Sequence, residues 1–337
     1  MITLVLSMIL AYIFSVLLVP IAIRYALSHH IVDVPDDKIK RHEKPVPYLG
    51  GVAIFIAFIL TLLIVVFFRP YILDKNNLLL VVSLGLIMIL GLYDDLKNLK
   101  PIIKIIVEII AITLLVKGGF RITIKDLPSW FNIFLTYFWY IGIINALNII
   151  DIMDGLASGV SLIASVVFLF LALQTGKIEM AFFSTVLIGL TSGFLRYNFF
   201  PARIYLGDAG SLFLGTLLGV LAVTGSYTEL NHIGLFTPVL ILGVPVYDTF
   251  YVMGMRWFTG KPVLKGSNDH IALRISATGL GRKNTVIFLY LISMILGMIS
   301  LTIVSVKLEL ALVIYILVAI TIVMATLKLS TINMDGK

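Results

Sequence analysis

Long apolar stretches joined by short polar loops make up nearly the whole chain. Eleven of these stretches come close to the ~20 residues that a helix needs to cross the hydrocarbon of a bilayer. They lie at about 2–23, 49–68, 78–93, 101–116, 131–147, 157–173, 178–195, 211–225, 234–253, 285–306 and 308–327. Because no polar stretch between them is long enough to fold by itself, the pattern predicts one all-α domain over residues 1–337. This domain would be a polytopic integral membrane bundle of about eleven transmembrane helices.

The lysines and arginines divide unequally between the two faces that eleven spans define. One face carries 18 of the 25 when Lys104, near the start of the fourth predicted span, is counted with it, and this face holds the C-terminal tail and the loops at about 24–48, 94–100, 146–156, 196–210 and 254–284. Short loops rich in basic residues stay in the cytoplasm. The bias therefore predicts a cytoplasmic C-terminus, an N-terminus outside, and cytoplasmic loops that carry most of the informative polar residues.

Composition and charge narrow the class of protein. Apolar residues make up 60% of the chain and charged residues 13%, against roughly half and about a quarter in soluble domains. The net charge is +7, but the basic residues are scattered between apolar runs, which argues against nucleic acid as a partner. The absence of cysteine from the sequence excludes disulfides, zinc–thiolate sites and thiol nucleophiles.

Two adjacent carboxylates, Asp94 and Asp95, stand at the cytoplasmic end of the third predicted span. An ionisable side chain costs about 2.5–3.5 kcal/mol at the centre of a membrane helix and less at the interface, so the pair calls for a cation. Carboxylate oxygens together with phosphate are ligands that Mg²⁺ uses. The alternative is a hydrated helix end without a function.

Four polar residues follow one another at intervals of three at the end of the fifth predicted span. They are Asn145, Asn148, Asp151 and Asp154. Helical neighbours three apart lie close on one face, so adjacent members can converge on one ligand. Because unpartnered amides and carboxylates are costly in lipid, the pattern favours a binding site. A structural polar seam between helices is the alternative.

Three other cytoplasmic segments carry candidate ligands. Asp208 stands between glycines at a predicted helix start, where it can hold a metal beside a bound anion or simply act as an N-cap. His42 and Lys44 lie in a loop dense in charge and proline, either as phosphate donors or as part of a solvated loop. His270 can contact phosphate or shuttle a proton, although a lone loop histidine is more often solvated.

Three further charges fall inside predicted spans. Lys104 and Glu108 are four residues apart and can pair with each other, and Asp248 lies in the ninth span. With the acidic loops, these intramembrane charges allow two functions. Grouped acids and bases on one face favour Mg²⁺-assisted phosphoryl transfer between a soluble donor and a lipid acceptor. The alternative is a cation-coupled transporter with Glu108 and Asp248 as carriers.

The ordered set of these segments resembles a known family, the polyprenyl-phosphate N-acetylhexosamine-1-phosphate transferases. The family includes the bacterial GlcNAc-1-phosphate and phospho-MurNAc-pentapeptide transferases. The resemblance rests on five segments in matching order, which are Lys40 to Gly51, Asp94-Asp95, Asn145 to Ala157, Asn198 to Ser211, and the region of His270.

The resemblance implies a reaction at the cytoplasmic face of the bacterial plasma membrane. GlcNAc-1-phosphate would pass from UDP-GlcNAc to undecaprenyl phosphate, giving undecaprenyl-diphospho-GlcNAc and UMP, with Mg²⁺ or else Mn²⁺ as cofactor. This reaction would start the assembly of a surface polysaccharide or teichoic-acid-type glycan. The alternatives are another UDP-N-acetylhexosamine, including UDP-MurNAc-pentapeptide. The family also implies a homodimer surrounded by membrane lipids.

The resemblance also implies roles for individual residues. Asp208 looks like the metal-binding aspartate, Asp94 like the group that deprotonates or positions the lipid phosphate, and Asp95 like a second metal or diphosphate ligand. His270 would be catalytic together with these two aspartates. The implied substrate-binding residues are His42, Lys44, Lys104, Asn145, Asn148, Asp151, Asp154, Asn198 and Arg274.

Two departures bear on the sugar. GlcNAc-type members usually carry a His-x-His-His cluster in the last motif, whereas this chain reads His270-Ile271-Ala272-Leu273-Arg274. The chain also lacks the histidine-triplet segment typical of the phospho-MurNAc-pentapeptide enzymes. That absence and the eleven predicted spans favour the GlcNAc branch.

Overall fold

A computed structural model of the chain describes residues 1–33, 45–225, 232–260 and 269–332. The described part is almost entirely helical. It divides into two compact units, residues 1–225 and 226–337. One membrane domain can contain two such packed units, and the single domain over residues 1–337 stays a prediction.

Eight helices form the first unit. They are α1 (Ile2–Ser28), α2 (Gly50–Phe68), α3 (Lys75–Lys97), α4 (Pro101–Lys117), α5 (Ser129–Ile150), α6 (Leu156–Gln174), α7 (Ile178–Asn198) and α8 (Gly207–Thr224). Two short antiparallel strands, β1 (Val32–Asp33) and β2 (Val46–Pro47), pair between α1 and α2.

Five helices belong to the second unit. They are α9 (Thr237–Ile241), α10 (Gly243–Phe258), α11 (Ile271–Ile275), α12 (Arg282–Ser305) and α13 (Leu308–Ser330). Leu240, Ile303 and Ala311 are buried together at a small core that α9, α12 and α13 share.

The polytopic helical membrane fold is confirmed. Nine helices in the described residues are long and apolar enough to cross a bilayer, and a bent pair, Gly234–Ile241 with Gly243–Phe258, adds a tenth if it counts as one span. The fourth predicted span corresponds to α4, which has 17 residues. All eleven predicted segments therefore contain helix, although α4 is shorter than the ~20 residues of a typical span.

The ninth predicted span is not a continuous helix, so this part of the prediction was wrong. Its two parts, α9 and α10, meet at an angle of 78° beside Leu242. Pro245 follows the break and has no N–H to bond the Ile241 carbonyl four residues earlier, and its ring clashes with that carbonyl. The apolar composition of residues 234–253 masked this local signal.

Contacts between helices show their relative directions in the first unit. α1 and α7 run parallel, because Ser7 meets Thr185 and Ser15 donates to the Leu190 carbonyl further along. α3 runs antiparallel to α4, and α5 runs antiparallel to α8. These directions are the ones that alternating membrane spans require. They also bring the end of α3, the start of α4, the end of α5 and the start of α8 together.

Close backbone contact between α3 and α8 depends on a glycine. A Cβ added to Gly91 of α3 would collide with the backbone of Asp208 and Ala209 at the start of α8. Without a side chain there, the two helices approach until Asp94 and Asp95, one turn further along α3, reach the first residues of α8.

Candidate active site

The centre of the site is an ammonium group held between two carboxylates. Lys104 Nζ lies 2.5 Å from Asp94 Oδ2 and 3.0 Å from Asp208 Oδ2. Asp94 Oδ1 also accepts a hydrogen bond from the Leu99 N–H at 2.6 Å. The three charged residues come from α3, α4 and α8, so the packing of these helices creates the cluster.

The pairing of Lys104 with Glu108, considered from their spacing, was wrong. Glu108 is fully buried and accepts a hydrogen bond from Asn145 Nδ2 at 2.9 Å, while its other oxygen, Oε1, has no hydrogen-bond partner in the described residues. Spacing of four within one helix allows a pair. Here the packing of α3 against both α4 and α8 places two other carboxylates, Asp94 and Asp208, at Lys104.

Asp208 is the more accessible of the two carboxylates that contact Lys104. Its side chain is 31% exposed, against 8% for Asp94. Its second oxygen, Oδ1, accepts a hydrogen bond from Asn148 Nδ2 at 2.7 Å, and the same amide nitrogen lies 3.0 Å from Ser211 Oγ. Asn148 therefore fixes the orientation of a carboxylate that a ligand can still reach.

Asp95 supports the start of α8 through backbone contacts. Its Oδ1 accepts from the Asp208 N–H at 2.8 Å and its Oδ2 from the Ala209 N–H at 3.1 Å. These are N–H groups that a helix start leaves without intrahelical partners. The chain enters α8 through Gly207 at φ 72°, where a Cβ would also meet Asp95 Oδ2 and the Tyr48 carbonyl. Asp95 thus caps α8 from α3 and fixes the backbone of Asp208.

Asp151 adds another carboxyl group to this end of the unit. Burial and the negative charges of Asp208, Asp95 and Asp154 raise the pKa of Asp151 to about 8. At neutral pH its carboxyl group therefore holds a proton. Even with Asp151 neutral, Asp94 and Asp208 contribute two carboxylates against the single ammonium of Lys104. The described part of the cluster consequently carries excess negative charge.

The segment between α7 and α8 is held from three sides. Asp154 Oδ2 accepts from the Ala202 N–H at 2.9 Å. Asn198 is buried, with its amide donating to the Ile204 carbonyl and its Oδ1 accepting from Ser158 Oγ. Tyr205 pairs through its backbone with Pro47 and Gly50 at the start of α2. Asp154 and Asn198 therefore support the loop that leads into Asp208.

In the second unit, His270 and Arg274 occupy a network of buried charges. His270 Nδ1 lies 2.7 Å from Asp248 Oδ2. Arg274 pairs with Asp269 at 2.8 Å, donates to the Leu329 and Ile332 carbonyls at the end of α13, and lies over the Tyr251 ring. His42 and Lys44, the other predicted phosphate donors, lie outside the described residues.

The donor set in the first unit fits a hard divalent cation. Among residues 1–33, 45–225, 232–260 and 269–332, no three His, Asp or Glu side chains form a ready-made metal site. Mg²⁺ is usually held by one or two carboxylates, waters and substrate phosphates rather than by a complete protein cage. Asp208 offers an accessible carboxylate of this kind beside a second one, Asp94, and Lys104 shows that positive charge is accommodated between them.

Sequence reasoning found most of the cluster and missed some partners. It named Asp94, Asp95, Lys104, Asn148 and Asp208, which the structure brings into contact. It missed Ser211 as a partner of Asn148, and it missed Asp248 as the partner of His270. The signal for Asp248 was its charge inside an apolar span, but a separation of 22 positions along the chain gave no indication that it contacts His270.

Comparisons with known proteins agree with the order of these segments. Residues 77–226 match the family model described as glycosyl transferase family 4. The chain is 32% identical to the "probable undecaprenyl-phosphate N-acetylglucosaminyl 1-phosphate transferase" of Bacillus subtilis (strain 168), over 94% of this chain and 90% of that protein.

Two further relatives show the range of sugars. The "undecaprenyl-phosphate alpha-N-acetylglucosaminyl 1-phosphate transferase" of Thermotoga maritima is 30% identical, over 82% of this chain and 84% of that protein. A "phospho-N-acetylmuramoyl-pentapeptide-transferase" of Clostridium botulinum (strain Eklund 17B / Type B) is also 30% identical, over 78% of this chain and 86% of that protein. The region that matches the family model, residues 77–226, contains every residue of the cluster in the first unit.

Proposed function

Because the chain belongs to the family of polyprenyl-phosphate N-acetylhexosamine-1-phosphate transferases, we propose that it transfers GlcNAc-1-phosphate from UDP-GlcNAc to undecaprenyl phosphate. The products are undecaprenyl-diphospho-GlcNAc and UMP. Family membership favours this reaction over a cation-coupled transporter. The cytoplasmic face of the bacterial plasma membrane is the proposed location, because the basic residues of the sequence concentrate on that side.

The observation that supports the proposal most strongly is the excess of carboxylates around Lys104. Asp94 and Asp208 share this one ammonium, and Asp95 stands beside them at the start of α8. Such a cluster is stabilised when a divalent cation enters with a diphosphate. A nucleotide-sugar donor brings that diphosphate. The carboxylates and the diphosphate are both negatively charged, and a divalent cation between them would balance both.

We assign the main metal contact to Asp208. Its carboxylate is accessible, and Asn148 and Asp95 fix its side chain and backbone. When bound, Mg²⁺ would neutralise the donor diphosphate and make its β-phosphorus more electrophilic. Asp95 makes two backbone hydrogen bonds, so we propose that it acts mainly by positioning Asp208 and only secondarily as a metal ligand.

Asp94 and Lys104 are the proposed partners of the lipid phosphate. Asp94 accepts a proton from that phosphate or orients it, and Lys104 neutralises charge that moves from the attacking to the leaving oxygen. In direct in-line attack, a lipid phosphate oxygen bonds to the β-phosphorus of the donor while the bond to UMP breaks. We favour this route over a covalent aspartyl intermediate because it needs fewer steps.

The remaining polar residues are assigned to the donor. Asp151 and Asp154 follow α5 beside the cluster, and we propose that they shape the nucleotide site, Asp154 and Asn198 partly through the loop after α7. Asn145 donates a hydrogen bond to Glu108, which lies one turn after Lys104 on α4.

His42, Lys44 and Arg274 remain proposed substrate-binding residues, and His270 is a proposed proton carrier. A homodimer surrounded by membrane lipids completes the proposal.

The experiment that tests this function is UMP release by the detergent-purified protein. Undecaprenyl phosphate is supplied with UDP-GlcNAc or with other UDP-N-acetylhexosamines, with Mg²⁺, with Mn²⁺, and with EDTA. Metal-dependent release from UDP-GlcNAc is expected. Release from another donor alone would keep the reaction and change the sugar. No release from any donor by folded protein would contradict the proposal.

A further inference from the structure

Asp248 is a fully buried carboxylate with two well-formed hydrogen bonds. Its Oδ2 lies 2.7 Å from His270 Nδ1, and its Oδ1 accepts from the Ile271 N–H at 2.7 Å. An ionised carboxylate is strongly destabilising when it is buried without compensation, and each oxygen of Asp248 has a hydrogen-bond partner. Both partners of Asp248 belong to the short segment that carries His270.

The backbone of His270 is held on both sides. The preceding residue, Asp269, pairs with Arg274, which is itself anchored to the end of α13. The following residue, Ile271, gives its N–H to Asp248. With its neighbours fixed and one ring nitrogen on Asp248, the imidazole of His270 has a defined orientation.

The chemistry of the pair decides which ring nitrogen remains available. The Ile271 N–H can only donate, so Asp248 accepts at Oδ1, and an ionised Asp248 also accepts at Oδ2. Nδ1 of His270 then carries the hydrogen, and Nε2 is left with its lone pair. A carboxylate partner of this kind also stabilises the ring when it takes up a second proton at Nε2.

We propose that Asp248 is a positioning residue that holds His270 as the Nδ1–H tautomer, so that Nε2 is the atom through which His270 exchanges a proton with a substrate phosphate. The Nε2 lone pair accepts the proton of a singly protonated phosphate, which becomes a dianion, and Nε2–H later returns that proton to the phosphate of the leaving nucleotide. Of the two roles proposed for Asp94, this leaves the orienting one. The phosphate exchange rests on the function proposed above, whereas the tautomer does not.

The tautomer can be measured without any turnover. The chain has five histidines, so ¹⁵N-histidine labelling gives few imidazole signals, and the His270 signals are those lost in His270→Gln. Above the pH at which the ring loses its second proton, we expect a protonated Nδ1 and an unprotonated Nε2. Wild-type protein with the opposite tautomer would overturn the proposal, and this result does not depend on the folding of any variant at Asp248.

Asp248→Asn is the sharpest variant because it keeps the shape and one acceptor oxygen. That oxygen can still accept from the Ile271 N–H, while the new amide group faces Nδ1 and donates to it, which favours the Nε2–H tautomer. We expect the ¹⁵N shifts of His270 to reverse in Asp248→Asn and to stay unchanged in Asp126→Asn, a matched change at an exposed residue. Unchanged shifts in Asp248→Asn would overturn the proposal.

Kinetics separate this proposal from the proposed function. Asp248→Asn and His270→Gln should each lower kcat about 10²-fold, the lower end for a general acid–base group, with little change in donor KM. The variant with both changes should be no slower than His270→Gln alone, because each change removes the same proton exchange at His270 Nε2. Wild-type kcat in His270→Gln would overturn the proton exchange. No UMP release by wild-type protein would defeat the proposed function while the tautomer remained as measured.

Discussion

The carboxylates of the two units have partners of different kinds. In the second unit two acids each have one base of their own, since Asp248 contacts His270 and Asp269 contacts Arg274. In the first unit Asp94 and Asp208 share Lys104, and Asp95 is satisfied by backbone N–H groups alone. One-to-one pairs of an acid with a base hold a structure in place, whereas a cluster with excess charge is prepared to bind a counter-ion.

This difference assigns different consequences to mutations in the two units. Removing a carboxylate from the cluster of the first unit should relieve repulsion within the protein and abolish ligand binding. Removing the base of a one-to-one pair in the second unit should leave its acid without compensation and lower stability. The four predictions that follow from this contrast differ in size.

The largest effect is expected for Asp208→Asn. The amide keeps the volume of the side chain but loses the charge, so we expect turnover to fall by at least about 10³-fold, the scale for loss of a key electrostatic contact in a transition state. UMP release measures it, and Asp126→Asn, an exposed site outside the cluster, serves as the control. A rate of UMP release in Asp208→Asn equal to that of wild type would show that the cluster does not take part in the reaction.

Arg274→Met tests the one-to-one pairs of the second unit by breaking the pair of Arg274 with Asp269. The change leaves Asp269 and the carbonyls of Leu329 and Ile332 without their charged donor. Loss of one partner from a buried pair costs about 3–5 kcal/mol, so the thermal midpoint in detergent should drop well below that of wild type. An unchanged midpoint would contradict a stabilising role for Arg274 and leave the substrate-binding role proposed above as its only one.

Asp151→Ala and Asp154→Ala should chiefly weaken use of the donor. We expect donor KM to rise about tenfold in each, equivalent to about 1.4 kcal/mol, because both residues are assigned to the nucleotide side of the site. The KM for undecaprenyl phosphate, measured in the same assay, is the internal control. If donor KM is unchanged in both variants, the nucleotide assignment is wrong.

The smallest effect concerns pH. The pKa of Asp151 is raised from an ordinary 3.8 to about 8 in the folded chain. Between these two pH values the folded chain therefore keeps a proton on Asp151 that the unfolded chain has already lost. Stability contributed by this group therefore falls as pH rises from about 4 to about 8. In EDTA, the free energy of unfolding of wild type should fall more between pH 5.5 and 8.5 than that of Asp151→Asn, by on the order of 1 kcal/mol, and the shift of the thermal midpoint measures this difference. An equal fall would contradict the assignment.

The fold could be predicted because long apolar runs have few alternatives in a bilayer. All eleven segments contain helix, and the directions of the paired helices agree with alternating spans. The break at Leu242 was missed because Pro245 lies within a run whose mean apolarity suggests continuity. Pro245 stands two residues after Gly243. Such a pair is a local signal of a helix break, and a count of apolar residues does not use it.

The site could be predicted in its membership but not in its pairing. Asp94, Lys104, Asn148 and Asp208 were identified by chemistry and spacing, yet the partners of Lys104 are decided by how α3 packs on α4 and α8. Rules about neighbours on one helix do not contain that information. The cap that Asp95 gives to α8 depends on the same packing, and on the absence of a side chain at Gly91.

The most direct test of the excess-charge cluster is calorimetric binding of UDP-GlcNAc in the absence of lipid acceptor. The account predicts that wild-type protein and Asp126→Asn bind the donor only when Mg²⁺ is present, and that Asp208→Asn does not bind it at the same concentrations. Donor binding that is independent of Mg²⁺, or that survives unchanged in Asp208→Asn, would contradict the claim that this cluster receives the donor diphosphate through a metal ion.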